Sequence, residues 1–317
     1  MNTKKILSAM ALSLLVALGS ILPVQAASSS QANGFIISPV RTEITIKKGQ
    51  SQNVQLSVQN PTDSTVTVKA VINDFVASNN ESGDPRLILN KNSPLPANNF
   101  ESLVGNIPNL TLGPSQKKYI NIPISVASDA NSGGYYGAIR FLPASTNQKS
   151  NVGLTASVGS IFLITVPGNL KEKLDLVQLS AGQGSQPTSF FTTGQVSVIT
   201  RLKNVGNIHV QPFGKVEVKN MFGKVVDSFE FNKSQGNILP NSTRKFVNSL
   251  SSKHWFGRYT IDANLAYQQG SGNLIIASTS FWYVPLWFLI TLGVVILIII
   301  GLVYYLRRRR YSNKARR

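Results

Sequence analysis

The stretch from Val284 to Leu306, VPLWFLITLGVVILIIIGLVYYL, holds 23 residues and no charge. As a helix rising about 1.5 Å per residue it spans roughly 34 Å, enough to cross a hydrocarbon layer about 30 Å thick. The competing reading is a buried core helix, but such helices rarely run this long without a polar face. Arg307, Arg308, Arg309 and Arg310 follow at once, whereas no Lys or Arg lies between Arg258 and the segment. That asymmetry predicts a cytoplasmic C-terminus and an exterior N-terminus. Trp282, Tyr283 and Trp287 fall at the outer end and Tyr304 and Tyr305 at the inner end, where aromatic rings bridge the apolar and wet layers. No LPxTG-like motif precedes the segment, so a retained single-pass anchor is expected rather than a wall-sorting signal.

Lys4 and Lys5, the apolar run Ile6 to Leu22, and Val24-Gln25-Ala26 have the layout of a secretory signal peptide cleaved after Ala26. An uncleaved first membrane helix is the alternative, but Gly19 and Pro23 break a run that is already short. The exterior then extends from residue 27 to 283, a length that suits two domains. The chain has no cysteine, which excludes a disulfide framework, a thiolate metal cluster and a lipobox anchor, and fits a bacterial envelope. The net charge of +18 is concentrated in part at the two ends, leaving 22 Lys and Arg against 13 acids outside. These charges are scattered, so a nucleic-acid partner is not expected. Weak attraction to anionic wall polymers or headgroups is.

The exterior reads as β throughout. Thr42 to Ile46, Val54 to Val58, Thr65 to Val71, Tyr119 to Ile124, Val196 to Leu202, Lys215 to Val218 and Tyr259 to Leu265 alternate apolar with polar residues. Gly, Pro and Asn turns punctuate them. Three markers recur in the same order in both halves: Asn60-Pro61 with Asn204-Val205, Ser115 with Ser242, and Gly134-Tyr135-Tyr136 with Gly257-Arg258-Tyr259. The expected fold is an all-β ectodomain of two tandem immunoglobulin-like β-sandwiches plus one C-terminal transmembrane helix. The boundaries follow as signal peptide 1–26, first domain 27–168, second domain 169–283, span 284–306 and basic tail 307–317.

Tyr136 and Tyr259 are expected to act as structural corners, hydrogen-bonding backbone near the start of a late strand. The other reading is a ring stacking on sugar. Tyr135 should point the opposite way and is the better ligand candidate. Asn60 to Ser115 spans 55 positions against 38 from Asn204 to Ser242, so the first half carries an insertion within 78–109. Such an excursion is either a binding surface or a cover for a sheet edge. Arg86 and Phe100 within it, with Tyr135 and Arg140, are the ligand-binding candidates.

Catalytic motifs are missing. His209 and His254 have no second ligand at metal spacing, and no nucleophile elbow, Walker loop or dinucleotide fingerprint occurs. No catalytic residue, metal or cofactor is therefore assigned, although paired carboxylates close only in space would escape this reading.

The motifs Ile37-Ser38-Pro39, Val58-Gln59-Asn60-Pro61-Thr62-Asp63 and Gly133-Gly134-Tyr135-Tyr136-Gly137-Ala138-Ile139-Arg140-Phe141 lie in the first half. Lys203 to Pro212 and Asn220-Met221-Phe222-Gly223-Lys224 lie in the second. In these stretches and in overall layout the chain resembles the WxL-interacting cell-surface proteins of Gram-positive bacteria. The resemblance implies a non-catalytic surface protein that binds peptidoglycan through its first domain and partner proteins through its second, which is here unusually compact. The expected partners are thus a cell-wall polymer or surface protein, and the lipid bilayer. A chaperone for surface fibres that lends or accepts a strand and a wall hydrolase are the alternatives.

Overall fold

The computed structural model describes residues 35–90, 92–144, 158–251, 255–267 and 273–314. The expected signal peptide, the last three tail residues and His254 lie outside these. The first half contains β1 (Ile36–Ser38), β2 (Arg41–Thr45), β3 (Ser51–Gln59), β4 (Val66–Ala77), β5 (Pro85–Leu87), a 3-10 turn (Glu101–Leu103), β6 (Leu110–Leu112), β7 (Lys117–Ser125), β8 (Gly133–Pro143) and β9 (Val158–Val166). The second contains β10 (Leu174–Gln183), β11 (Gln186–Pro187), β12 (Phe190–Phe191), β13 (Ser197–Asn204), β14 (Phe213–Asn220), β15 (Val225–Phe231), β16 (Thr243–Ser249), β17 (Gly257–Ala266) and β18 (Leu274–Tyr283). Helix α1 (Leu286–Lys314) follows after two residues.

Both halves are sandwiches with one topology. In the first, β1-β3-β7 faces β2-β9-β8-β4-β5, with β6 also on β4; in the second, β11-β10-β13-β16 faces β12-β18-β17-β14-β15. Each opens with a strand split between the two sheets, whose later piece lies parallel to the last strand: β2 on β9, and β12 on β18. Every other strand pair is antiparallel. This is the immunoglobulin-like arrangement, and period-two patterning fills each sandwich. Leu56, Val58, Ile122, Ile139, Phe141 and Ile164 pack in the first core; Val198, Leu202, Val216, Ile261, Leu265 and Phe281 pack in the second.

The recurrent asparagine is the joint of each copy. Asn60 donates to the carbonyls of Ser64 and Gly113 and accepts the Thr62 N–H; Asn204 donates to Ile208 and Ile238 and accepts the Gly206 N–H. Both are fully buried. Each backbone N–H reaches the start of the facing strand, Asn60 to Gln116 and Asn204 to Ser242. Ser115 and Asn241, one residue earlier, both adopt positive φ, 52° and 56°. The second marker therefore aligns Ser115 with Asn241, one position away from the sequence alignment. The third shifts likewise: Gly133 and Gly257 open β8 and β17, both at positive φ. Tyr135, not Tyr136, is then the counterpart of Tyr259.

Helix α1 is continuous, and the most apolar 18 residues of its Leu286–Arg308 portion have a mean hydropathy of 3.0, none of them buried. Trp287, Tyr304 and Tyr305 are exposed on it. Arg307 and Arg308 continue the helix outward, and Arg309 and Arg310 lie on its last turns.

Candidate functional site

The outer face of the larger sheet in the first sandwich carries one row of side chains: Glu43 on β2, opposite Leu163 on β9, opposite Tyr136 on β8, with Phe75 of β4 adjoining. Because strand side chains alternate, Tyr135 points the other way, into the core. This row meets the second sandwich. Phe75, Tyr136 and Leu163 bury against Leu239, and the Phe75 and Tyr136 rings lie 6.0 Å apart.

Polar contacts fix the boundary. The Tyr136 hydroxyl accepts the backbone N–H of His209 at 2.7 Å and lies 3.2 Å from His209 Nδ1. The other ring nitrogen, Nε2, bonds the Glu43 carboxylate, which also accepts from the Asn237 amide. A neutral ring protonated at Nε2 satisfies every partner, with the phenol donating to Nδ1. Burial pushes the Tyr136 phenol up, so it stays protonated and able to donate. The bond from His209 draws the Glu43 carboxyl down to about 2, against the opposing effect of burial. Nearby, the Gly134 N–H donates to the Asn207 carbonyl, and Asn207 exchanges bonds with Lys171 in the connection between the sandwiches. The Asn204 to Asn207 turn thus begins the crossing from one sheet of the second sandwich to the other and also pins the two halves together.

The insertion at 78–109 closes the boundary from the other side. The Asn73 amide and the Asp74 backbone carbonyl bond Ile88, the Asp74 carboxylate accepts the Phe100 N–H at 2.6 Å, and Asn98 donates to the Gly134 carbonyl. At its tip Glu81, with φ 60°, forms a two-point pair with Arg201 at 2.7 and 2.5 Å, and its carbonyl accepts the Lys245 N–H of β16. The Arg201 bonds hold the Glu81 carboxyl below the usual range.

Between insertion and boundary lies a cleft of about 820 Å³. Its floor is Phe75, Tyr136 and Leu239, and its rim carries Arg86, Asn79, Asn98 and Asn241. Arg86 is exposed on β5 opposite Val76. An apolar floor, several amides, the Arg86 guanidinium and the Arg201-paired Glu81 carboxylate suit a polar polymer. Among the described residues no three His, Asp or Glu side chains cluster as metal ligands do.

The expected site residues separate accordingly. Arg86 lines the cleft. Phe100 does not: it is fully buried, and a Cβ on Gly137 would sit 1.9 Å from its ring, so it is the core plug that anchors the insertion. Tyr135 is 4% exposed and its hydroxyl donates to the Asn131 carbonyl, which makes it a backbone-bonding corner rather than a ligand contact. Tyr136 bonds across the boundary and is not a corner. Tyr259 bonds the Phe256 backbone three residues upstream. Arg140 is half-buried and grips the Asn73 side chain behind the insertion. Glu43, Glu81, Arg201 and His209 escaped the sequence reading. Their pairing is long-range, and only the dense motif around His209 marked any of them.

Residues 43–142 match the family model described as WxL Interacting Protein, peptidoglycan binding domain. Over these residues the chain is similar to the WxL-interacting protein family. The matched segment supplies Phe75, Arg86, Asn98, Tyr136 and the rest of the insertion wall, while Leu239 and Asn241 come from the second sandwich. Among curated proteins no sequence match is found. Solved structures similar to the chain include one from a chaperone–tip adhesin complex of CFA/I fimbriae biogenesis, 12% identical, covering 80% of this chain and 99% of that one at TM-score 0.40. The class 5 fimbriae chaperone CfaA is 14% identical over 80% and 100% at 0.38. The E. coli chaperone DraB is 14% identical over 78% and 96% at 0.35. Likeness at these TM-scores carries no functional argument.

Proposed function

We propose that this chain is a non-catalytic, membrane-anchored envelope protein that holds cell-wall polymer in the cleft between its sandwiches. The observation that carries this reading is the match of residues 43–142 to a peptidoglycan-binding family over the segment that builds most of the cleft wall. The domains are then 27–168 and 169–283, with the ectodomain outside and Arg307 to Arg310 holding the C-terminus in the cytoplasm. Arg86 meets a peptide-stem carboxylate, the asparagines meet glycan hydroxyls, and the apolar floor meets ring faces. A surface-protein partner is left to the exposed faces of the second sandwich.

The test is retention of the full chain, in detergent, by purified cell wall at low salt. Wild type should sediment with wall, and Arg86→Ala should sediment several-fold less while unfolding at the same temperature. No retention of wild type would end the wall-binding reading; equal retention of Arg86→Ala would move the site out of the cleft.

A further inference from the structure

The membrane-facing end of the second sandwich carries an exposed apolar rim. β18 ends at Tyr283 and α1 begins at Leu286, so the edge of the bilayer lies within a few residues of this end. The ladders bring the β14–β15 turn to the same level: Asn220 stands opposite Tyr259, Tyr259 opposite Phe281, and Gly257 opposite Tyr283. The turn Met221-Phe222-Gly223-Lys224 projects past that line. Phe222 is 85% exposed, and Met221, Phe256, Trp282 and Phe190 are each about half exposed. These side chains are neighbours. Met221 packs where a Cβ on Gly257 would fall, and Phe190 and Arg258 both stand opposite Trp282. The Phe256 ring meets Phe288 of α1 edge-on at 5.0 Å.

The tip is built rather than loose. The Asn220 side chain accepts the N–H groups of Phe222 and Lys224, the Asn220 backbone bonds Lys224 and Gly223, and Gly223 takes the positive φ of 78° that the turn needs. A rigid turn therefore holds an aromatic ring outward, beside a lysine and without a carboxylate in the turn. Aromatic rings with flanking Lys and Arg are the composition of the bilayer interface, where the ring enters the acyl boundary and the cation reaches the phosphates.

We propose that the Met221–Lys224 turn inserts Phe222 into the outer leaflet, giving the second sandwich a membrane contact separate from α1. The proposal rests on α1 crossing the bilayer. Two contacts fix the tilt of the sandwich, where a single helix would leave it free to lean.

The absence of cysteine allows a direct test. The full chain carrying Phe222→Cys is labelled with a polarity-sensitive fluorophore and reconstituted into phosphatidylcholine–phosphatidylglycerol vesicles, with Tyr119→Cys, exposed on the first sandwich, as the reference. At 222 the emission should shift to the blue, quench with brominated acyl chains, and quench several-fold less with iodide than at 119. Iodide access equal to that at 119 would overturn the insertion. So would shielding from iodide without quenching by the brominated lipid, because a protein contact would then cover the turn. Vesicle flotation reads the anchor separately: chain that fails to float overturns the anchor and this proposal with it, whereas flotation with an iodide-accessible probe overturns the turn alone.

Discussion

His209 and Glu43 are 166 residues apart in the chain and share a hydrogen bond across the boundary between the sandwiches. On its other side the same histidine engages Tyr136. Three side chains from β2, β8 and the turn after β13 thereby tie the two halves together.

Acid should loosen this tie at a defined point. The Glu43 carboxyl is lowered from 4.5 to about 2 in the folded chain, so the stability it contributes is present above about 4.5 and is lost as pH falls toward about 2. The effect is modest, because the side chain is 44% exposed and water screens it. Paired fluorophores, one on each sandwich, should report a wider or broader separation across that window. Glu43→Gln should show a separation nearly independent of pH there; an unchanged acid response in Glu43→Gln would remove the carboxylate from the tie.

Tyr136→Phe should destabilise the chain by about 1–3 kcal/mol, because it strands the part-buried His209 N–H and removes the ring's partner. Tyr135→Phe removes only a bond to the Asn131 carbonyl within one sandwich. Amide exchange separates the two. Tyr136→Phe should speed exchange at His209 in the second sandwich, and Tyr135→Phe should leave it unchanged.

Asn60→Ala and Asn204→Ala should behave as a matched pair. Each removes a fully buried amide that bonds two carbonyls at the same joint, and each should cost about 1–3 kcal/mol in thermal unfolding. If one substitution were neutral and the other severe, the equivalence of the two joints would fail.

Asp74 is buried, and burial raises its carboxyl above the usual 3.8 despite the bond from Phe100. One of its oxygens, Oδ2, lacks a partner. The folded chain thus holds the proton more tightly than the unfolded one, so stability is greatest below 3.8 and falls as pH rises through the folded value. Asp74→Asn keeps an acceptor for Phe100 and has no charge to desolvate. It should unfold at or above the wild-type temperature at pH 7, whereas Asp74→Ala should unfold below it. Equal losses in both would mean that the charge, not the acceptor, holds the insertion.

The fold was legible because its determinants are local. Period-two patterning marked the strands, and the repeat of Asn60 at Asn204 marked two copies. The slip of one residue at Ser115 and at Tyr136 has a physical origin. Turn residues tolerate shifts that strand phase does not, and a one-residue slip exchanges core for surface. That exchange put Tyr135 on the ligand list and Tyr136 in the corner. Phe100 misled for a related reason: an aromatic ring in a polar insertion looks displayed, although here Gly137 leaves the space that buries it. The boundary itself was not legible, since Glu43–His209 and Glu81–Arg201 are pairs of ordinary polar residues brought together only by the packing of two sheets.

The join between β18 and α1 sets how load passes through the molecule. With two residues between them, in the proposed arrangement a pull on the first sandwich reaches the anchor through β18 itself. β18 is drawn toward the membrane while the opening strands of the second sandwich are drawn away, so β12 and β18, which lie parallel, slide against each other. Their bonds, Trp282 to Ser189 and Val284 to Phe191, are loaded side by side and must yield together rather than unzip in turn. Under the proposed wall and membrane contacts the second sandwich is thereby strung in its strong direction.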